Sequence, residues 1–353
     1  MTLRRIQVTD FRCLTSAELE FDRDFTLISG PNASGKTSLL ESIFVLGRGR
    51  SFRTRRLDKL IRTGANRFVI YGEVVLSEQR VGMGIEGTAQ GVRAKLAGDR
   101  VVSLAELAAA LPVQIIDPEV HRLVEEGPSY RRRFLDWGVF HVEHDFVEKW
   151  QQFQQVLRQR NAALKSRLPS PLVSAWDGEF VRLGEAIHEA RARYMAGLTP
   201  AAVEIVHRLL GLELGLSYRS GWSQEFGLQE ALRRSLRQDS DVGVTQVGPH
   251  RAEIALRVDG MPVKDRVSRG QQKLLATALL LAQLKIFGLE SLRPTLLLDD
   301  PSAELDSERL AGLIREVTVQ SVQLIVTSLS ANFGLLGAPG RRYAVSEGRV
   351  TMA

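Results

Sequence analysis

Gly30, Gly35, Lys36 and Thr37 occupy the fixed positions of G-x-x-x-x-G-K-[ST] in the run GPNASGKT. Such a loop turns successive backbone N–H groups toward one anion, and the N-terminus of the following helix adds its dipole. The run Gly30, Pro31, Asn32, Ala33, Ser34, Gly35, Lys36, Thr37 and Ser38 therefore reads as a cradle for a nucleotide polyphosphate. Lys36 would reach the β- and γ-phosphates and the Thr37 hydroxyl would hold Mg²⁺, making ATP and Mg²⁺ the expected cofactors. A second chemical unit ends the apolar run Leu296-Leu297-Leu298, where Asp299 and Asp300 follow in sequence. Asp299 suits the Mg²⁺ shell, and Asp300 suits a group that orients or deprotonates the attacking water.

These residues need particular elements behind them. Phe25-Thr26-Leu27-Ile28 is an apolar run of strand length, and Ser38–Phe44 has helical spacing, so the loop sits between strand and helix. Leu296–Leu298 lacks polar alternation, as a parallel strand buried on both faces requires, and it delivers its carboxylates at the end where open α/β sheets bind ligands. The two motifs lie at opposite ends of the chain. Whatever fills the middle must leave the nucleotide-binding sheet and return, which predicts a split ATPase head carrying an inserted domain.

Three further segments bear on the same chemistry. Val267–Lys273 precedes an apolar helix, with Ser268 as a natural N-cap whose neighbouring amides suit an anion. Ser268, Arg269, Gly270 and Gln271 resemble the signature segment of ATP-binding-cassette ATPases, which closes over the nucleotide of the other subunit. Thr327-Ser328 follows the strand Leu324-Ile325-Val326 where transporter ATPases carry histidine, so the expected γ-phosphate sensor is a hydroxyl, Thr327 or Ser328. Two readings of Gln114, in the strand Val113–Ile116, stand side by side: a catalytic glutamine touching Mg²⁺ and water, or a partly exposed strand residue.

The strands Phe68–Leu76, Val81–Ile85 and Val92–Leu96, broken by glycine, predict an antiparallel meander beside the nucleotide sheet. Beyond His121 the period becomes helical. Phe146, Trp150, Phe153, Leu157 and Leu164 form one stripe and Trp176, Phe180, Leu183, Ile187, Ala190 and Tyr194 another, joined through Leu168-Pro169-Ser170-Pro171. They predict an antiparallel helical hairpin, with a further helix around Val203–Leu210. The expected organisation is an ATPase head in residues 1–119 and 240–353 with a helical arm in residues 120–239.

Arginines mark two candidate contact surfaces. Arg48, Arg50, Arg53, Arg55, Arg56 and Lys59 crowd after the phosphate-loop helix, a density that suits a DNA backbone, the ATP phosphates, a partner subunit or a solvated loop. Arg131, Arg132 and Arg133 suit DNA or an interlobe contact, though consecutive helical residues diverge and at most two serve one site. His250 has no metal-ligand spacing to another histidine; a structural turn, or a place near DNA, accounts for it.

The 353-residue chain has a formal charge of +6 and one cysteine, Cys13. The charge suits a nucleic-acid partner, the lone cysteine rules out an internal disulfide, and together with a start lacking a long apolar run they point to the cytoplasm. The longest apolar stretch is interrupted by Gln283 and Lys285, so no membrane partner is expected.

Over nearly its full length the chain resembles the RecF family of recombination-mediator ATPases, relatives of the SMC proteins. The resemblance rests on Leu3–Ile6 with Asp10-Phe11-Arg12, GPNASGKTSLLESIF, Gly49–Thr54, Gly127–Trp137, Arg160–Leu164, Gly248–Arg251, Ser268–Gln271 and Asp299-Asp300 with Ala303–Asp306. It implies an α/β fold: an ABC/SMC-type P-loop ATPase head, with a mixed sheet, an antiparallel β-subdomain and an inserted α-helical arm. It further implies a slow, DNA-stimulated ATPase whose ATP-induced homodimer binds DNA near single-strand/double-strand junctions, with Asp306 among the nucleotide-binding residues. RecR, RecO and indirectly RecA are the implied partners, in recombinational repair, replication restart and the SOS response. Two departures stand out: Ala33 where the family usually has glycine, and Cys13-Leu14 in place of its asparagine and aromatic residue. A transporter ATPase subunit would need the missing histidine, and an SMC-like tether would need long heptads.

Overall fold

The computed structural model describes the chain except residues 77–78, 102, 144, 290–292 and 331–333 and the side chains of 289, 304 and 335. Residues 1–120 and 283–353 form one compact unit and residues 121–282 another. The head is thus split in sequence, and its two pieces share one sheet.

That sheet runs in the order 349–352, 341–346, 25–29, 323–328, 295–298, 113–116. All pairings are parallel except that of the outermost strand. Phe25–Ser29, Thr295–Leu298 and Gln323–Ser328 are buried at every residue, as central parallel strands covered on both faces must be. Register sets the site: Ser328 pairs with Ser29, and Leu298 pairs with both Val326 and Ile116. The phosphate loop, the Asp299-Asp300 pair and Asp117 therefore leave neighbouring strands at the same end. A six-stranded antiparallel sheet, built from the N-terminal hairpin and the meander, lies beside it. Leu3, Ile6, Phe11, Phe68 and Met83 of that sheet share one core with Leu39, Ile43 and Leu46 of the phosphate-loop helix Lys36–Arg48. Burying this apolar surface, at ~25 cal/mol per Å², locks the loop's supporting helix between two sheets.

In the second unit the two aromatic stripes meet as expected, with the Phe153 and Phe180 rings 4.8 Å apart. The second stripe continues further than the sequence suggests. Instead of a separate helix at Val203–Leu210, one helix of 34 residues runs from Asp177 to Leu210 through Pro200. Tyr194, Leu198, Ala201, Ala202 and Ile205 keep the same face buried on both sides of the proline, and that packing outweighs the hydrogen bond proline removes. The arm is not purely helical. Glu253–Val258 pairs antiparallel with Leu214–Arg219, Ile254 opposite Tyr218, which groups residues 240–282 with the second unit rather than with the head. No helix among the described residues is long and apolar enough to cross a membrane.

Candidate nucleotide-binding site

The phosphate loop is held by its backbone. Gly30 donates its N–H to the Ser328 carbonyl at 3.1 Å, and a Cβ on Gly30 would fall 2.2 Å from the Val345 carbonyl oxygen, so no side chain fits. Gly35, at φ 114, opens the helix Lys36–Arg48, whose N-terminus has no side-chain cap. Its first-turn amides therefore remain available to an anion. Ala33 adopts φ 60, a left-handed conformation that costs a residue with a Cβ about 1 kcal/mol or more. Strain at that position is the local consequence of the missing glycine.

Lys36 donates from Nζ to the carbonyls of Gly30 at 2.7 Å and Pro31 at 2.9 Å. Its ammonium is thereby parked across the loop mouth. Among the described residues the buried Ser34 hydroxyl has no hydrogen-bond partner, an arrangement that costs about 1–3 kcal/mol unless a ligand oxygen supplies the bond. A cavity of about 360 Å³ opens here, lined by Asn32–Ser38, Cys13, Arg53, Pro118, Asp299, Asp300 and Ala303. The orphan hydroxyl, the uncapped helix and the lysine fit a polyphosphate.

Thr37 donates its hydroxyl to the Asp299 carboxylate, 2.9 Å from Oδ2 and 3.0 Å from Oδ1. The buried Thr327 hydroxyl donates to Asp299 Oδ1 at 2.9 Å and accepts the Asp300 N–H at 3.0 Å. Burial raises the Asp299 pKa, against the lowering effect of those two hydroxyls. Burial, and next the charge of Asp299, push Asp117 up to about 6. Among the described residues no ion pair neutralises either carboxylate. A Mg²⁺ held by Thr37 and Asp299 would supply that charge and draw both values down.

Asp300 sits at φ 45 and caps the short helix that follows, its Oδ1 accepting from Ser302 Oγ at 3.1 Å. The left-handed turn carries its carboxylate to the cavity wall. Between the two candidate sensors the geometry separates roles. Thr327 is committed to Asp299 and Asp300, whereas the Ser328 hydroxyl, on the opposite strand face and also buried, accepts among the described residues the Ser330 N–H at 3.1 Å and no other hydrogen bond.

Gln114 requires correction as a catalytic residue. It lies opposite Leu296, two residues short of the strand end, and its amide is satisfied: Oε1 accepts from Arg48 at 2.7 Å and Nε2 donates to Gln283 at 3.1 Å. Asp117, at the strand end itself, escaped the sequence reading. Its only signal was its place just after an apolar run, the same signal that marked Asp299.

Glu41 was also missed. Fully buried on the phosphate-loop helix, it accepts from Arg12 Nε at 2.8 Å and Nη2 at 2.7 Å, from the Ser51 hydroxyl, and from Arg53 at 3.5 Å. This carboxylate converts part of the first arginine cluster into a fixed rim. Arg53 remains exposed and lines the cavity; Arg50 and Arg55 are exposed, and Arg56 pairs with Asp58 at 2.7 Å. In the second cluster Arg131 also requires correction. It is buried against Glu253 at 2.8 Å and the carbonyls of Val124 and Glu126, so its guanidinium is not presented to DNA. Arg132 donates to the Ala252 carbonyl at 2.8 Å, and Arg133 lies over the Tyr130 ring at 4.2 Å; both keep partial exposure.

Ser268, in the second unit, opens the helix Arg269–Leu289 with a reciprocal cap: its N–H donates to Gln271 Oε1 at 2.9 Å, and its Oγ accepts the Gln271 N–H at 3.4 Å. Ser268 and Arg269 are exposed, and Gly270 is half-buried. Asp306 caps Ser307–Thr318 by accepting the Arg309 N–H at 2.9 Å. Half-buried His250 bonds the Thr245 carbonyl at 3.0 Å, and desolvation lowers its pKa to about 4, as suits a neutral structural imidazole.

With this geometry established, comparison with known proteins decides the family. The profile for the RecF/RecN/SMC N terminal domain matches residues 2–337. The chain belongs to the RecF family. It is 38% identical to the DNA replication and repair protein RecF of Yersinia pseudotuberculosis, over 99% of this chain and 98% of that protein. It is 39% identical to RecF of Hydrogenovibrio crunogenus over 92% and 91% respectively. Among solved structures, the recombination mediator RecF bound to ATP, in the RecFOR pathway, superposes with a TM-score of 0.89 at 26% identity, covering 99% of this chain and 97% of that one. The ABC/SMC-type head with an inserted arm is thus the RecF fold, with the arm carrying its own small sheet.

Proposed function

We propose that this chain is an ABC-type ATPase in which nucleotide, with Mg²⁺, controls the pairing of two copies on DNA. Its place is in DNA replication and repair, as a recombination mediator. The observation that carries the nucleotide reading is the meeting of Thr37 with the under-neutralised Asp299 at the mouth of a loop whose buried Ser34 hydroxyl lacks a partner. Lys36 would leave the loop carbonyls for the β- and γ-phosphates, while Thr37 and Asp299 hold the metal and Thr327 keeps Asp299 oriented. Asp300 orients water or accepts its proton, and Ser328 stands as the remaining hydroxyl candidate at the γ-phosphate.

The pairing uses the segment Ser268, Arg269, Gly270 and Gln271, where the Arg269 and Gly270 amides of the first turn, beside the reciprocal Ser268–Gln271 cap, suit an anion and lie in a different unit from the phosphate loop. Each nucleotide would join Lys36 and Asp299 of one copy to Ser268 and Gly270 of the other, with Asp306 near that junction. Only a γ-phosphate that binds the closed state better than the open one can drive such closure. Slow hydrolysis, stimulated by DNA, then reopens it. Arg50, Arg53, Arg55, Arg56, Arg132 and Arg133 are the proposed DNA-facing cations, at single-strand/double-strand junctions, with RecR and RecO as partners and RecA loading as the outcome in the cytoplasm. Sedimentation with and without ATP and gapped DNA tests this: dimers that require ATP and join the DNA are expected, and ATP-indifferent monomers that ignore DNA would overturn it.

A further inference from the structure

Cys13, the only cysteine of the chain, lies at the nucleotide cavity. It occupies the turn between the strands Thr2–Phe11 and Leu14–Glu20, and it is exposed. Its Sγ sits 3.5 Å from the hydroxyl of Ser38, in the first turn of the phosphate-loop helix. A Cβ built on Gly35 would come within 3.3 Å of the same sulfur. The thiol thus touches the loop at the residues that follow its last glycine. Cys13 also lines a second, open groove of about 1330 Å³, sharing Ser38 and Arg53 with the phosphate cavity, so it stands where one opens into the other. The phosphate cavity expects a ligand on independent grounds, because Ser34, 4% exposed, carries an unpartnered hydroxyl there.

We propose that Cys13 is a reversible modification site that gates nucleotide entry, its substrates being low-molecular-weight disulfides. The thiol loses its proton to solvent, and the thiolate attacks one sulfur of the disulfide. A new S–S bond forms to Sγ while the old one breaks, releasing the other half as a thiolate; electrons balance with no further oxidant. The groove's exposed Arg53, Lys59 and Arg67 favour anionic reagents. The adduct then fills the passage beside Ser38 and Gly35, through which a nucleotide must lie if its phosphates are on the loop. A thiol reductant reverses the block.

The gate rests on the nucleotide reading above, and the test separates the two. The intact protein is treated with the coloured aromatic disulfide dithiobis(nitrobenzoate), and the released thiolate counts modification of the single cysteine. Binding of a fluorescent ATP analogue is measured before labelling, after it, and after dithiothreitol. Expected are a loss of affinity of about tenfold or more on labelling, a readable change of at least 1.4 kcal/mol, and full recovery on reduction. Saturating Mg²⁺-ATP should slow labelling of the native protein by a similar factor, a readout taken before any adduct can disturb the fold. Cys13→Ser should make the affinity, whatever its value, indifferent to the reagent. Unchanged affinity in fully labelled protein, or labelling that ATP does not slow, overturns the gate alone. Failure of the unlabelled protein to bind the analogue overturns the nucleotide reading, and the gate with it.

Discussion

Two carboxylate sets, each centred on a buried aspartate, sit one in each unit and are neutralised differently. In the second unit Asp239 is fully buried, and with Asp177 it grips Arg160: Nη1 reaches Asp239 at 2.8 Å and Nε reaches Asp177 at 2.9 Å. Thr245 accepts a further bond from that guanidinium at 2.8 Å, and Asn161 holds Thr245 in turn. In the head, Asp299 accepts from the Thr37 and Thr327 hydroxyls and has no ion pair among the described residues, and burial pushes its pKa up, as it does for Asp117. Burying a charge is expensive unless it is paired. In the first set both carboxylates have their cation within the chain, and Arg160, whose Nη2 alone is left without a hydrogen-bond partner among the described residues, fastens four segments together. The second is left short of positive charge, the mark of carboxylates that serve a ligand rather than the fold. Arg160 and Asp299 both lie in segments that carry the family resemblance, so resemblance alone did not tell architecture from chemistry; the partners do.

The comparison breaks most sharply at Arg160. Arg160→Met leaves Asp239 buried without its cation, and unfolding free energy should fall by about 3–5 kcal/mol, measured by denaturant titration without nucleotide. A loss below 1 kcal/mol would show the network to be dispensable. Asp299→Asn should do the opposite in the same assay, leaving stability equal or higher because a strained charge is removed. Its cost appears elsewhere: the Mg²⁺-dependent gain in nucleotide affinity should drop by about a hundredfold, read by titrating nucleotide with and without Mg²⁺. If Mg²⁺ still tightens binding in that variant, Asp299 is not the metal's carboxylate.

How far each set was visible beforehand follows from its chain separation. The loop, its strand and its helix are contiguous, so spacing displayed them, and the apolar run before Asp299 displayed a buried strand. The split head followed from the separation of those motifs, and the fold match upholds it. Pairings across long separations left no trace. Which of the three diverging arginines turns inward was not legible, because the Glu253 that holds Arg131 is 122 positions away. Gln114 and Asp117 could be told apart only once register put Ile116 opposite Leu298. Glu41 was a single charge in LLESIF, a hint that helical periodicity contains but that its three partners alone explain. The helix around Val203–Leu210 read as a separate one because the packing that carries a single buried face through Pro200 is not legible in sequence.

Asp117 sharpens the contrast through pH. Its pKa in the fold, about 6, exceeds the model-compound value of 3.8. A carboxyl raised in this way contributes stability that is complete below pH 3.8 and is lost as pH rises through about 6. Asp117→Asn should therefore stabilise the nucleotide-free protein by roughly 1–3 kcal/mol above pH 7 and by nothing near pH 4. Thermal unfolding across that range checks it. A benefit independent of pH would mean that the gain comes from packing and not from relieved charge.

Thr327 should give the smallest effect and the most specific one. Its hydroxyl has a single proton, given to Asp299, and a lone pair that receives the Asp300 N–H. Thr327→Val keeps the shape of the buried side chain and removes both bonds. Stability should change by about 1 kcal/mol, the net worth of such hydrogen bonds. Turnover depends on carboxylates held in a fixed direction, so ATPase kcat should fall about tenfold while nucleotide affinity changes little, a split that a loss of packing alone would not produce. Thr327→Ser, which retains the hydroxyl, should recover most of the rate. If Ser fares no better than Val, the methyl group and not the hydroxyl is what this position contributes. Ser328 and Asp300 would then have to hold the site in register without it.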